Sequence, residues 1–198
     1  MTDKVIRAAL KARLARRYAL DTNALVLEEL GIGHGATRID LVVINHRLHG
    51  YEIKSDHDSL RRLPDQIRAY SGVMDRVTLV VGYRHAYDAL RMVPDWWGVT
   101  LAGAGKRSNS VVLSTARAAR DNPKVDPYAV ASLLWRDEAM AILEDMGADD
   151  GMHSKRRAEV YRRLVDSSDP NTLRLRMRQK LLSREGWRVA EQPTPCGD

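Results

Sequence analysis

TRIDLVVINHRLHGYEIKS, residues 37–55, contains two segments with the pattern of β-strands and a short polar segment between them. Its first part, residues 37–45, is rich in β-branched residues and is bounded by glycine and asparagine, which predicts a strand. Its last part, residues 50–55, predicts a second strand, and residues 46–49 form the turn between them. The two strands are therefore expected to pair as an antiparallel hairpin.

Elements on both sides of the hairpin extend it into an α/β core. Residues 25–30 fit a strand or a short helix, and Pro64 is expected to open a new helix or to kink a continuous one. Hydrophobic spacing predicts helices over residues 3–19, 56–74 and 85–93, and strands over residues 76–82, 97–102 and 110–114. The strand at 76–82 is nearly all apolar, which is typical of a sheet covered on both faces.

The carboxyl-terminal part of the chain changes to a helical pattern. Helices are predicted over residues 126–146, 154–166 and 171–184. We therefore predict a fold of the α/β class, with a core over residues 1–115, a helical extension over residues 116–190 and a disordered tail over residues 191–198.

Composition and charge narrow the class of protein. The chain has 198 residues, a formal net charge of +6 and one cysteine, Cys196. A lone cysteine excludes an intrachain disulfide framework and suits the reducing cytoplasm. We find no signal peptide and no apolar run that could span a membrane, so no membrane partner is expected. The positive charge favours nucleic acid as a partner, although arginine-rich coding in a GC-rich genome would also produce it.

Three charged side chains on the hairpin form a candidate site. Glu52 and Lys54 are two residues apart on one strand and therefore share a face, and Asp40 on the neighbouring strand can reach the same patch. Two carboxylates suit Mg²⁺ or Mn²⁺, and a lysine beside the metal can orient or deprotonate an attacking water. The alternative is an exposed sheet face whose charges have no chemical role.

The helix after the hairpin adds a second signal. Gln66 and Tyr70 are four residues apart and lie on one helix face. The ordered set of Asp40, Glu52-Ile53-Lys54 and Gln66-x-x-x-Tyr70 resembles the PD-(D/E)xK nuclease superfamily in its RecB-like version. Over roughly residues 5–100 the chain resembles, within that superfamily, a bacterial and phage family that is named only by a locus tag.

The resemblance implies a restriction-endonuclease-like core, a mixed β-sheet flanked by helices, and assigns roles at the metal. Asp40 is implied as the central metal ligand and Glu52 as the second. The backbone carbonyl of Ile53 is implied to complete the inner shell of Mg²⁺ or Mn²⁺, and Lys54 to serve the nucleophilic water. The implied activity is a metal-dependent deoxyribonuclease that hydrolyses phosphodiester bonds, with DNA favoured over RNA as substrate.

Further roles are implied around this centre. Gln66 is implied to hold the lysine or the scissile phosphate, and Tyr70 to brace the helix or to touch the nucleic-acid backbone. The superfamily usually adds an upstream acidic residue, for which Glu28 and Glu29 are both candidates. Ile39 stands where the superfamily name has proline, a position that varies among its members and does not touch the chemistry.

Arginines near the motif are candidate phosphate contacts. Arg38 is two residues before Asp40 on the same strand, and the helix that carries Gln66 also has Arg61, Arg62 and Arg68. They could track a nucleic-acid backbone or form only surface ion pairs and a solvated face. The alternative for the whole chain is a nucleic-acid-binding or regulatory protein of the same fold that does not cleave. The oligomeric state, including a homodimer, is left open, although members of the superfamily often pair.

Overall fold

The computed structural model of the protein describes residues 1–105 and 110–184, and its strands form one six-stranded sheet. The strands lie side by side in chain order: β1 (Leu25–Ile32), β2 (Thr37–Ile44), β3 (Leu48–Lys54), β4 (Arg76–Gly82), β5 (Gly98–Ala104) and β6 (Val111–Arg117). β1, β2 and β3 are antiparallel, β3, β4 and β5 are parallel, and β6 is antiparallel to β5. Residues 25–30, which fitted a strand or a helix, are a strand.

Helices cover both faces of this mixed sheet. They are α1 (Asp3–Arg17), α2 (Leu63–Val73), α3 (Ala86–Met92), α4 (Pro127–Ala131), α5 (Arg136–Asp145), α6 (Arg157–Asp166) and α7 (Pro170–Ser183). The predicted fold class, an α/β core with a helical carboxyl-terminal part, is confirmed. No helix in the described part of the chain is long and apolar enough to span a bilayer.

Two helix predictions are wrong in their bounds. The helix predicted from residue 56 begins only at Leu63, after a short 3₁₀ turn. Of the two alternatives for Pro64, the opening of a new helix is confirmed: Pro64 lies in the first turn of α2, where a missing N–H costs nothing. The single helix predicted over residues 126–146 is two helices. Trp135 between them is extended, and its N–H donates to the Glu138 carboxylate at 2.7 Å, which starts α5 afresh.

The two faces of the sheet are covered unequally. α1 packs Ile6, Leu10 and Leu14 on one face, against Leu41 and Tyr51 among others. The opposite face is covered by α2 and by the carboxyl-terminal helices, whose buried residues join the strands in one larger core. The predicted boundary at residues 115 and 116 falls inside β6, and the predicted tail over residues 191–198 lies outside the described residues.

β2 and β3 stop pairing with each other at the end of the sheet where the motif lies, although β3 stays paired with β4 through Lys54. The β2–β3 ladder runs from Ile44–Leu48 to Leu41–Tyr51, and the β1–β2 register skips Glu29, whose φ is 57°. Beyond the ladder, the Ile53 N–H donates to the Asp40 carboxylate at 2.7 Å. The motif therefore lies where the strands open, which leaves room for a cavity.

Candidate active site

One cavity brings together part of the predicted site. Asp40, Glu52, Ile53, Lys54 and Gln66 all line a space of about 530 Å³ between the strand ends and the start of α2. Glu52 and Lys54 project from the same face of β3, as the two-residue period requires. The geometric condition for a shared site, three charged side chains on one cavity, is met.

Glu52 is the most constrained group of the cavity. It is 2% exposed, and its Oε1 accepts hydrogen bonds from Lys54 Nζ at 2.5 Å and from Gln66 Nε2 at 2.6 Å. Its Oε2 lies 2.8 Å from the Tyr70 hydroxyl. Burial and the neighbouring Asp40 raise the pKa of Glu52, and Lys54 only partly offsets them. A further cation in the cavity would therefore stabilise the ionised carboxylate.

Lys54 is nearly as buried as its partner. It is 5% exposed, and its ammonium contacts Glu52 at the cavity wall. A lysine ammonium has three N–H donors, so the contact with Glu52 leaves two N–H groups for a water or a phosphate oxygen. Asp58 also lines the cavity, and its Oδ2 accepts from the N–H and the hydroxyl of Ser55 at 2.7 and 2.6 Å. Burial raises the pKa of Asp58, but these hydrogen bonds and Lys54 outweigh it and lower the pKa overall.

Asp40 uses both carboxylate oxygens. Oδ2 accepts the Ile53 N–H, and Oδ1 accepts from Arg7 Nη2 at 2.5 Å. Arg7 belongs to α1, and its Nε also contacts Asp3 at 3.2 Å. Burial opposes the charge on Arg7, but Asp40 and Asp3 outweigh it, and the pKa of Arg7 is raised. Asp40 is therefore already paired with one cation of the protein.

Gln66 and Tyr70 hold Glu52 from α2. The single proton of the Tyr70 hydroxyl is shared between Glu52 Oε2 and the Arg38 backbone carbonyl, at 2.8 and 2.6 Å, and the hydroxyl oxygen accepts from Gln66 Nε2 at 3.2 Å. Tyr70 is 0% exposed and stacks on Trp97, so it braces the helix, and the alternative that it touches a nucleic-acid backbone is wrong. Gln66 Oε1 is buried and makes no hydrogen bond within the described residues.

The donor set of the cavity fits a hard divalent cation. Asp40 and Glu52 supply carboxylate oxygens, and Gln66 Oε1 is a spare amide oxygen on the same wall. Mg²⁺ and Mn²⁺ prefer oxygen ligands and keep several waters. Ile53 lines the cavity, and the role of its carbonyl at the metal stays a prediction.

Neither glutamate proposed as the upstream acidic residue reaches the cavity wall. Glu28 pairs with Lys11 of α1 at 2.5 Å. Glu29 contacts Arg38 at 3.3 Å, and it has a positive φ at the position where the β1–β2 register lacks a pair. The upstream carboxylate that does line the cavity is Asp3. Sequence reasoning missed it because Asp3 followed by Arg7 also fits an ordinary surface pair on a helix.

The four predicted arginines divide into two groups. Arg38 and Arg62 line the cavity, and the Arg38 side chain is 66% exposed there. Arg61 lies exposed on the 3₁₀ turn, and Arg68 is exposed and pairs with Asp65, which lines the cavity. Contact with a phosphate at the cavity is therefore open to Arg38 and Arg62, and the other two face solvent.

Comparisons with known proteins point to a phage family. A family model described as Bacteriophage P4 protein cII matches residues 2–185, a range that includes every residue of the cavity. The protein cII of Enterobacteria phage P4 is 24% identical over 147 residues, which are 74% of this chain and 54% of the phage protein. The chain thus spans about half the length of this curated relative. No solved structure matches the chain.

Proposed function

The chain belongs to the family of bacteriophage P4 protein cII, and from the chemistry of its cavity we propose that it is an Mg²⁺-dependent nuclease that hydrolyses phosphodiester bonds of DNA. The observation that carries the proposal is the convergence of Asp40, Glu52 and Lys54 on one cavity. Two carboxylates and an ammonium at a cavity are the groups that a metal-assisted phosphodiesterase requires.

Each charged residue of the cavity would have its own role in the reaction. Asp40 and Glu52 would hold the cation, which polarises the phosphoryl oxygen and stabilises the charge on the leaving oxygen. Lys54 would orient the attacking water or take its proton. Water would form the new bond to phosphorus while the bond to the 3′ oxygen breaks, which leaves a 5′-phosphate, as the resemblance to PD-(D/E)xK nucleases implies.

The neighbours of Glu52 prepare it for this role. Gln66 and Tyr70 fix the carboxylate from α2, so it keeps its position when Lys54 turns from it toward a water. Such positioning by neighbouring hydrogen bonds is what keeps metal ligands in productive geometry. Arg38 and Arg62 at the cavity would contact phosphates on either side of the scissile one.

We also propose that the protein acts in the cytoplasm. A chain with a net charge of +6 and a single cysteine suits a nucleic-acid partner in the reducing cytoplasm. Pairing of two copies stays a prediction.

Replacement of Lys54 tests the proposal. We expect Lys54→Ala to lower cleavage by roughly 10²–10⁴-fold, the usual contribution of a positioned acid or base, while DNA binding measured in EDTA is unchanged. The measurement is a panel of labelled single-stranded, double-stranded and branched DNA with Mg²⁺ or Mn²⁺. Lys124→Ala, which removes an exposed lysine from a loop, is the matched control and should cleave normally. Normal cleavage by Lys54→Ala would refute the proposed role.

A non-cleaving DNA-binding or regulatory protein is the second candidate. The observation that favours it is the ion pair between Arg7 and Asp40, which places a protein cation on the expected metal ligand. A calorimetric titration with Mg²⁺ separates the two functions. Heat that disappears in Asp40→Asn supports the nuclease, and the lack of any heat that depends on Asp40 supports the second candidate.

A further inference from the structure

Arg7 lies between two carboxylates at the edge of the candidate metal site. Its Nη2 is 2.5 Å from Asp40 Oδ1 and 3.4 Å from Asp3 Oδ2, and its Nε is 3.2 Å from Asp3 Oδ1. Its Nη1 also donates to the Asp40 backbone carbonyl at 3.3 Å. One guanidinium thus bridges Asp3 and Asp40 with four contacts, which a single ammonium could not reproduce.

The helix that carries Arg7 is firmly anchored. Ile6 and Leu10, on either side of Arg7 in the sequence, are 0% and 2% exposed in the core under α1. The backbone at residue 7 is therefore fixed, and the guanidinium can move only as far as its side chain allows. Asp3, one helical turn earlier, is a second acceptor within that range.

We propose, on the basis of the function proposed above, that Arg7 competes with the divalent cation for Asp40 and so sets the metal affinity of the site. Asp3 is the alternative partner that holds the guanidinium when Asp40 takes the ion. A guanidinium and a divalent ion that share one carboxylate oxygen bind in opposition, and each weakens the other. Arg7 is thus a positioning residue whose effect appears in metal binding before any bond is cleaved.

The competition predicts that loss of Arg7 strengthens metal binding. We expect Arg7→Gln to bind Mn²⁺ roughly five- to twentyfold more tightly than the native chain, within the usual range of coupling between sites. Arg7→Lys should fall between them. The measurement is calorimetry with Mn²⁺ alone, without nucleic acid, on full-length protein whose folding in EDTA has been verified by circular dichroism.

Two controls separate competition from the general effect of charge. Lys4→Gln removes an exposed cation from the same turn of α1, and Arg13→Gln removes one that contacts Leu113 and Thr115 away from the cavity. Both should bind Mn²⁺ like the native chain. Equal tightening in Arg7→Gln and Lys4→Gln would overturn the proposal, because only overall charge would then matter.

A double-mutant cycle tests the role of Asp3. Asp3→Asn should weaken Mn²⁺ binding in the native chain, because Arg7 then has only Asp40, and should have no effect in the Arg7→Gln background. Equal weakening in both backgrounds would instead make Asp3 a direct ligand and would overturn its role as the alternative partner.

The outcomes distinguish this inference from the proposed function. Mn²⁺ binding that depends on Asp40 but is unchanged or weaker in Arg7→Gln overturns the competition and leaves the nuclease proposal standing. No Mn²⁺ binding in either the native chain or Arg7→Gln overturns both.

Discussion

Two carboxylate clusters lie at opposite ends of β3, and they are neutralised differently. At the amino end, Asp75 pairs with Arg174 and Arg178, at 3.1 and 3.7 Å, and Asp121 pairs with Arg47 and Arg76. Each carboxylate of that cluster therefore meets two guanidinium groups.

At the carboxyl end, Asp40 meets one guanidinium and Glu52 one ammonium. The remaining partners of Glu52 are the neutral groups of Gln66 and Tyr70. Both ends have a cavity, of about 260 Å³ beside Asp75 and about 530 Å³ beside Asp40. The two cavities thus differ in the positive charge that the protein supplies to each carboxylate: two guanidinium groups at Asp75 and Asp121, but one cation at Asp40 and Glu52.

On the proposed function, the largest effect that separates the two clusters is on DNA cleavage. Glu52→Gln keeps the shape of the side chain but removes its charge, and we expect it to lower Mg²⁺-dependent cleavage by roughly 10³-fold, as loss of transition-state charge stabilisation does. Asp75→Asn, the matched change at the other end, should cleave within about twofold of the native rate. Equal losses in the two variants, measured on the same DNA, would remove the distinction.

The second effect is on stability, and here the larger loss is expected at the amino end of β3, from the replacement of Asp75. Asp75 is largely buried, and it also accepts the Leu48 N–H at 2.7 Å. Asp75→Ala leaves two arginines facing each other without a counterion, so we expect a loss of about 3 kcal/mol in the free energy of unfolding. Urea unfolding measures it. The exposed Asp150→Ala is the control and should change stability by less than about 0.5 kcal/mol.

A third effect concerns His49, which lies on β3 between the clusters. Its ring stacks on Tyr51 and its Nε2 contacts the Thr78 hydroxyl at 2.9 Å. Burial, together with the charges of Arg17, Arg76 and Arg47, lowers the pKa of His49 to about 3. The folded state therefore favours the neutral ring. Above the unfolded pKa of about 6.5 the ring is neutral in both states, so no stability is lost there.

Acidification should lower the free energy of unfolding through His49. As the pH falls from about 6.5 toward 3, the unfolded chain gains a proton that the folded chain does not, and stability is lost at up to about 1.4 kcal/mol per pH unit. Unfolding in urea between pH 7 and 5 measures the slope. His49→Gln should be less stable at pH 7 but should lose less on acidification, and an unchanged slope in that variant would contradict the assignment.

The smallest effect is expected from an exposed pair. Arg68 and Asp65 on α2 form an ion pair in which both side chains are more than 70% exposed. Because solvent screens such a pair, Arg68→Ala should change stability by less than about 0.5 kcal/mol, in contrast to Asp75→Ala. A loss of 2 kcal/mol or more in urea unfolding would show that the degree of neutralisation and burial does not decide the energetics of these pairs.

The sequence predicted the part of the site that depends on strand periodicity. Alternation along β3 placed Glu52 and Lys54 on one face, and hairpin pairing placed Asp40 beside them. The four-residue spacing of Gln66 and Tyr70 predicted their common face on α2, and both contact Glu52. Local regularity was sufficient for these residues because each belongs to an uninterrupted element.

The parts that failed depend on irregular backbone or on distant contacts. Glu28 and Glu29 do not line the cavity: Glu28 pairs with Lys11 of α1, and Glu29 has a positive φ that no periodic pattern reveals. Asp3 and Arg7 were missed because their link to Asp40 spans more than 30 residues and requires α1 to pack across the sheet. The break between α4 and α5 was missed because the apolar pattern continues through it.

The common core of sheet and carboxyl-terminal helices has a practical consequence for work with fragments. Leu143, Tyr161 and Leu164 are 1% exposed or less, and they belong to the same buried cluster as the strands that position Glu52. A truncation after residue 115 would cut β6 short and uncover that apolar side to water, where it would promote aggregation. A soluble minimal version for crystallisation or for assay must therefore retain the segment through α7.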